Sequence, residues 1–125
     1  MNELTNDQTA PIEQNDFELN VELTQEEREF VLKDIRKRII RTLYVYEQMM
    51  LNKEGYNYKV YLNSLILFVL SSNYLFHGKL ISIAVNLNIL LQNELEKKKI
   101  KSILFECVNN IDFLLKDGDS NGSNN

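Results

Sequence analysis

Apolar residues first fall into a helical rhythm at Val31, Ile35, Ile39, Leu43 and Tyr46, joined by Phe30, Ile40, Met49 and Met50. Just upstream, Thr24-Gln25-Glu26-Glu27 has the form of a capping box, in which Thr24 accepts a backbone N–H and Glu27 reaches back. Glu26, Glu27 and Glu29 also suit the positive end of a helix dipole. The spacing predicts an amphipathic helix over about 25–51. Its stop is expected at Asn52-Lys53-Glu54-Gly55, where Gly55 can turn left-handed.

A second helix is expected over about 57–76, with its middle apolar around nearly the whole circumference and so buried on most sides. His77-Gly78 marks the next break. Leu80, Ile83, Ala84, Leu87, Leu90, Leu91 and Leu95 predict a third helix over about 80–96. The basic run Lys97-Lys98-Lys99 separates it from a fourth, over about 99–116, whose stripe is Ile100, Ile103, Leu104, Cys107, Val108, Ile111, Leu114 and Leu115. Asp117-Gly118 is its expected end.

Four helices with short connections favour antiparallel neighbours. The expected fold is therefore all-α: a four-helix bundle-like single domain with a long first helix and a disordered acidic N-terminal tail. The division is 1–23 as acidic tail, 24–116 as helical domain and 117–125 as a disordered C-terminal tail. In the first tail Phe17, Leu19, Val21 and Leu23 alternate with polar residues, a pattern able to add as a strand or dock in a groove. The overhang of the first helix, with Met49 and Met50, reads as an interface or dimer seam. Residues 60–91 are apolar enough to raise a membrane hairpin, but Asn63, Ser64, Ser71, Ser72, Asn73, Asn86 and Asn88 interrupt them. The expectation is the central helices of a bundle, without a membrane.

Composition supports helices. Four glycines and one proline, Pro11, among 125 residues leave too little punctuation for a strand-rich fold. The single cysteine, Cys107, excludes an intrachain disulfide and sits on an apolar stripe as a small hydrophobe. A reducing, cytoplasmic compartment follows from that usage, and Met1-Asn2-Glu3-Leu4 opens no secretory signal. Abundant Asn, Ile and Lys suggest an AT-rich genome, such as that of a low-GC bacterium, a phage or plasmid, or a protist.

Candidate chemistry is sparse. His77 stands alone at a helix end, with no ligands at metal spacing and no serine elbow beside it. Glu47, Glu94, Glu96, Glu106 and Asp112 fall on polar faces instead of converging on a core. The glycines lie at predicted helix ends and form no phosphate loop. No catalytic residue, metal ligand or cofactor is expected.

Charge is the asymmetric feature. Residues 1–29 hold nine acids and one base, a charge of −8, and residues 30–116 hold thirteen bases and seven acids, a charge of +6. Asp117 and Asp119 complete the net −4. Lys33, Lys37 and Arg41 share one face of the first helix, flanked by Arg36 and Arg38, while Lys97, Lys98, Lys99 and Lys101 form a second group. Such faces can track phosphates. Single-strand binders usually interleave aromatics with the charges, and Tyr44, Tyr56, Tyr58 and Tyr61 lie elsewhere along the chain. The acidic tail can also fold back over the basic face.

The leading expectation is a non-enzymatic protein-binding module, an adaptor, inhibitor or immunity-type protein, in which dimerisation is plausible. Its surface would be Lys33, Arg36, Lys37, Arg41, Met49 and Met50. The alternative is a nucleic-acid binder that uses Lys33, Arg36, Lys37, Arg41, Lys97, Lys98, Lys99 and Lys101. In format alone the chain is similar to small helical phage and plasmid inhibitors and to bacterial immunity proteins.

Overall fold

The computed structural model describes residues 22–53, 55 and 57–124, with 118–124 as backbone alone. The expected acidic tail lies almost wholly outside the described residues. Among the described residues four α-helices follow in order: α1 (Gln25–Met50), α2 (Tyr58–Ser72), α3 (Ile81–Gln92) and α4 (Lys97–Asn124). A 3₁₀ turn, Asn73–Phe76, extends α2. Each helix packs on its chain neighbour, and α4 closes the ring against α1. The architecture is the expected all-α four-helix bundle.

The capping box forms as the residues predict. The Glu27 N–H donates to Thr24 Oγ1 at 3.0 Å, and the Thr24 N–H donates to Glu27 Oε1 at 2.9 Å. Both are backbone donors that the first turn leaves unsatisfied. Thr24→Ala should therefore cost about 1 kcal/mol in a urea titration; an unchanged midpoint would show that this box contributes nothing to stability.

At the other end of α1 the left-handed cap is Asn52, at φ 62°, three residues earlier than the predicted glycine. The Asn52 N–H donates to the Met49 carbonyl at 3.0 Å and the Lys53 N–H to the Gln48 carbonyl at 3.2 Å. These are the two reverse-turn bonds of a Schellman motif. Asparagine tolerates this conformation better than other residues with a Cβ. Gly55, at φ 88°, makes a second left-handed step in the connection.

Three helix bounds differ from the spacing. First, α3 stops at Gln92, where Asn93 turns extended and its Nδ2 donates to the Ile89 carbonyl at 2.8 Å. Second, α4 begins at Lys97, so the lysine run forms its first turn instead of a linker. Positive side chains oppose the dipole there. The start is set by packing, because Ile100, Ile103 and Leu104 are buried and hold the register. Third, α4 continues past Asp117-Gly118 to Asn124, which replaces the expected stop and makes α4 longer than α1. A glycine lowers helix propensity but ends a helix only where the backbone leaves the right-handed region.

The core runs along the bundle axis. Leu32, Ile35 and Ile39 of α1 meet Leu62, Leu65 and Val69 of α2, Ile83 and Leu87 of α3, and Leu104, Cys107 and Ile111 of α4. Cys107 is buried as a small hydrophobe. The largest departure from the spacing is in α2. Its apolar residues were expected to be buried nearly all round, yet Val60, Leu67 and Leu70 face outward, as does Tyr74 in the turn that follows. Among the described residues α1 and α3 are the helices that flank it, and its outward side meets no third helix there.

Candidate functional site

Two regions gather the predicted residues. The first is the solvent side of α1. Lys33, Lys37 and Arg41 are all exposed there, as the i, i+4, i+8 spacing requires. Phe30 and Tyr44, both exposed, fall on the same stripe three residues before and three after it. This corrects the expectation that aromatics lie away from the basic face. Tyr44 lies eleven residues beyond Lys33 in the chain, and three turns of helix return it to the same side.

The neighbours of that stripe are partly engaged. Arg36 Nε donates to Asp112 Oδ1 at 2.7 Å, and Lys33 Nζ approaches Glu29 at 3.9 Å. Lys33, Arg36 and Lys37 border a shallow depression of about 470 Å³ with Ile40, Asp112 and Leu115. Arg38 turns toward α2, where its guanidinium lies 4.1 Å above the Phe68 ring.

Lys97, Lys98, Lys99 and Lys101 are not part of this face. The α4 helix runs antiparallel to α1, which puts Lys101 Nζ 2.9 Å from Glu47, near the C-terminal end of α1. Glu47 lies fourteen residues beyond Lys33, about 20 Å at the helical rise. The two basic groups are therefore separate, and their lysines do not converge on one ligand.

The second region is the cleft at that same end. It has a volume of about 430 Å³ and is lined by Met49, Met50, Leu95 and Ile100, with Lys59, Glu94 and Lys97 also contributing. Tyr46 and Tyr58 form its wall, edge to face with ring centroids 4.9 Å apart. The Lys59 ammonium donates to the Leu91 carbonyl at 3.1 Å and sits 3.4 Å from Glu94, tying α2 to the α3–α4 connection. The sequence pattern pointed to the two methionines but not to Tyr46, Tyr58, Leu95 and Ile100, because four separate segments contribute them.

Tyr58 carries a buried hydroxyl without a hydrogen-bond partner among the described residues. Burial pushes its pKa up to about 12, and the nearby Tyr46 and Glu94 add to the rise. Tyr46 is raised by burial too, with Lys101 acting against it.

No family model, curated protein or solved structure matches this chain. Its surfaces therefore carry the functional reading. Among the described residues no three His, Cys, Asp or Glu side chains gather as metal ligands. His77 is exposed and left-handed at φ 54°, ending the 3₁₀ turn. Of the acids on the predicted polar faces, Asp112, Glu47 and Glu94 each face a base. The segment Tyr58–Phe76 is long and apolar enough to cross a membrane by length and composition, with a third of it buried in the bundle.

Proposed function

We propose that this chain is a non-enzymatic protein-binding module whose partner inserts an apolar side chain into the cleft at the C-terminal end of α1. The observation that carries this reading is the methionine-lined cleft itself. Methionines adapt to the shape of an incoming side chain, and clustered Met marks adaptable binding surfaces. Lys59 at the cleft already faces Glu94, which leaves Lys97 as the charge that favours an acidic group beside the inserted residue.

The test is affinity capture from lysate with nuclease present, using the wild type and Met50→Glu. Met50 is exposed, so its replacement should leave the fold intact. A stoichiometric protein that is held by the wild type and lost at least tenfold with Met50→Glu supports the reading. Equal retention by both proteins refutes it.

A second reading has its own observation. The stripe Phe30, Lys33, Lys37, Arg41 and Tyr44 combines aromatic and basic side chains, as single-stranded nucleic-acid grooves do. It predicts capture that collapses on nuclease treatment and weakens steeply with salt.

A further inference from the structure

The α2–α3 hairpin carries a surface that neither reading uses. From Val60 to Asn93 the sequence contains one charged residue, Lys79, at the turn between the two helices. Val60 and Leu67 on α2, with Leu70 and Tyr74, fall on one outward stripe, and Ile81, Val85 and Ile89 fall on another along α3. These seven apolar side chains are between 40% and 65% exposed. Asn63 and Asn88 are exposed among them.

The two helices adjoin. Lys59 at the start of α2 bonds the Leu91 carbonyl at the end of α3, and the Leu80 N–H bonds Asn73 Oδ1 at the opposite end. The helices therefore lie antiparallel and side by side. At about 1.5 Å per residue and about 10 Å per helix diameter, the outer surfaces of the two helices together cover on the order of 500 Å². Twice that area, about 1,000 Å² in a self-pair, lies at the small end of specific interfaces.

We infer that this face pairs with the same face of a second copy of the chain. Charge decides the occupant. Self-pairing across a two-fold axis sets each patch against its own likeness. On the outer face of α1 that would oppose Lys33, Lys37 and Arg41 with themselves. The hairpin face has no such repulsion, and the amides of Asn63 and Asn88 are both donors and acceptors, so like can bond like. A partner of different sequence is selected largely by complementary charge, and this face offers none. Against a lipid core, Asn63, Ser64, Ser71, Asn88 and Gln92 would lose hydrogen bonds to water without replacement. This inference is independent of the methionine cleft.

Sedimentation equilibrium on the full chain tests it. Wild type should show twice the 14.7 kDa chain mass at micromolar concentrations, and Leu67→Glu and Val85→Glu should each sediment as monomers with unchanged helical circular dichroism. Met50→Glu should remain dimeric. A wild type that is monomeric at 100 µM, or a Leu67→Glu protein that is still dimeric, overturns the inference. So does flotation of the wild type with neutral phosphatidylcholine vesicles in place of dimerisation. If the charged variants lose helicity, dilution of the wild type provides the second measurement. Methyl resonances of Val60, Leu67, Leu70, Ile81, Val85 and Ile89 should shift together through the dissociation range, and shifts spread evenly over the core would also overturn the proposal.

Discussion

Phe76→Ala is expected to remove about 3–5 kcal/mol of stability, the range for deleting a fully buried aromatic ring. Phe76 has no exposed surface. It closes the 3₁₀ turn and is followed by two left-handed residues, His77 and Gly78. The Arg28 guanidinium covers the ring at 5.3 Å and also reaches the Leu114 carbonyl at 3.4 Å. The space left by the ring is therefore framed by α1, α4 and a turn pinned by the Asn73–Leu80 hydrogen bond. Such a frame collapses poorly, which puts the cost in the upper part of the range.

A domain of this size is stable by roughly 5–14 kcal/mol, so the variant should lose a third or more of its margin. Each kcal/mol moves the melting temperature of a small domain by about 4–8 °C. A fall of roughly 15–30 °C in a calorimetric scan is the expected result. Phe113→Ala is the control, because that ring is 67% exposed and should change the midpoint by only a few degrees. If both variants melt alike, the placement of Phe76 in the core is wrong.

The second large effect is a loss of stability in alkali. Burial chiefly, with Glu106 adding to it, pushes the Cys107 thiol up to about 12 from an ordinary 9.0. Tyr58 moves from 10.0 to about 12. In the unfolded chain both groups lose their protons near the lower values, while the folded chain keeps them. The unfolded state thus binds fewer protons between about pH 9 and pH 12, and stability falls as pH rises through that window. Below pH 9 the contribution is fully present. The combined loss is on the order of a few kcal/mol by pH 12, since a tenfold difference in proton affinity between the two states corresponds to ~1.4 kcal/mol.

Urea midpoints measured across pH 8–12 should fall in wild type and fall less in Cys107→Val or Tyr58→Phe. At pH 7 the tyrosine replacement should be neutral or stabilising, because its buried hydroxyl leaves no partner behind among the described residues. An alkaline slope identical in all three proteins would rule out these two groups as its source. Thiol reagents at pH 8 should modify Cys107 only when urea is present.

Local chemistry made much of this protein legible in its sequence. The start of α1 was readable because Thr24 and Glu27 satisfy donors within one turn. The stripe of α4 was readable because each of its buried positions repeats at helical spacing. The exposed basic face of α1 followed from the same period. The cap at Asn52 escaped because a left-handed asparagine is set by the hydrogen bonds that return to Gln48 and Met49, and Gly55 nearby was the better local candidate.

Tertiary structure decided the rest. A helix as apolar as α2 does not specify which of its faces is covered, and the number of packed neighbours settles that. With α1 on one side and α3 on the other, Leu62, Leu65 and Val69 are enclosed while Val60 and Leu67 are left outside. The pairing of Arg36 with Asp112 and the separation of the two lysine groups depend on the antiparallel register of α1 and α4. The cleft beside Met49 and Met50 required four segments to meet. Helical periodicity is a property of consecutive residues, whereas burial depends on segments far apart in the chain, and only the folded bundle brings those together.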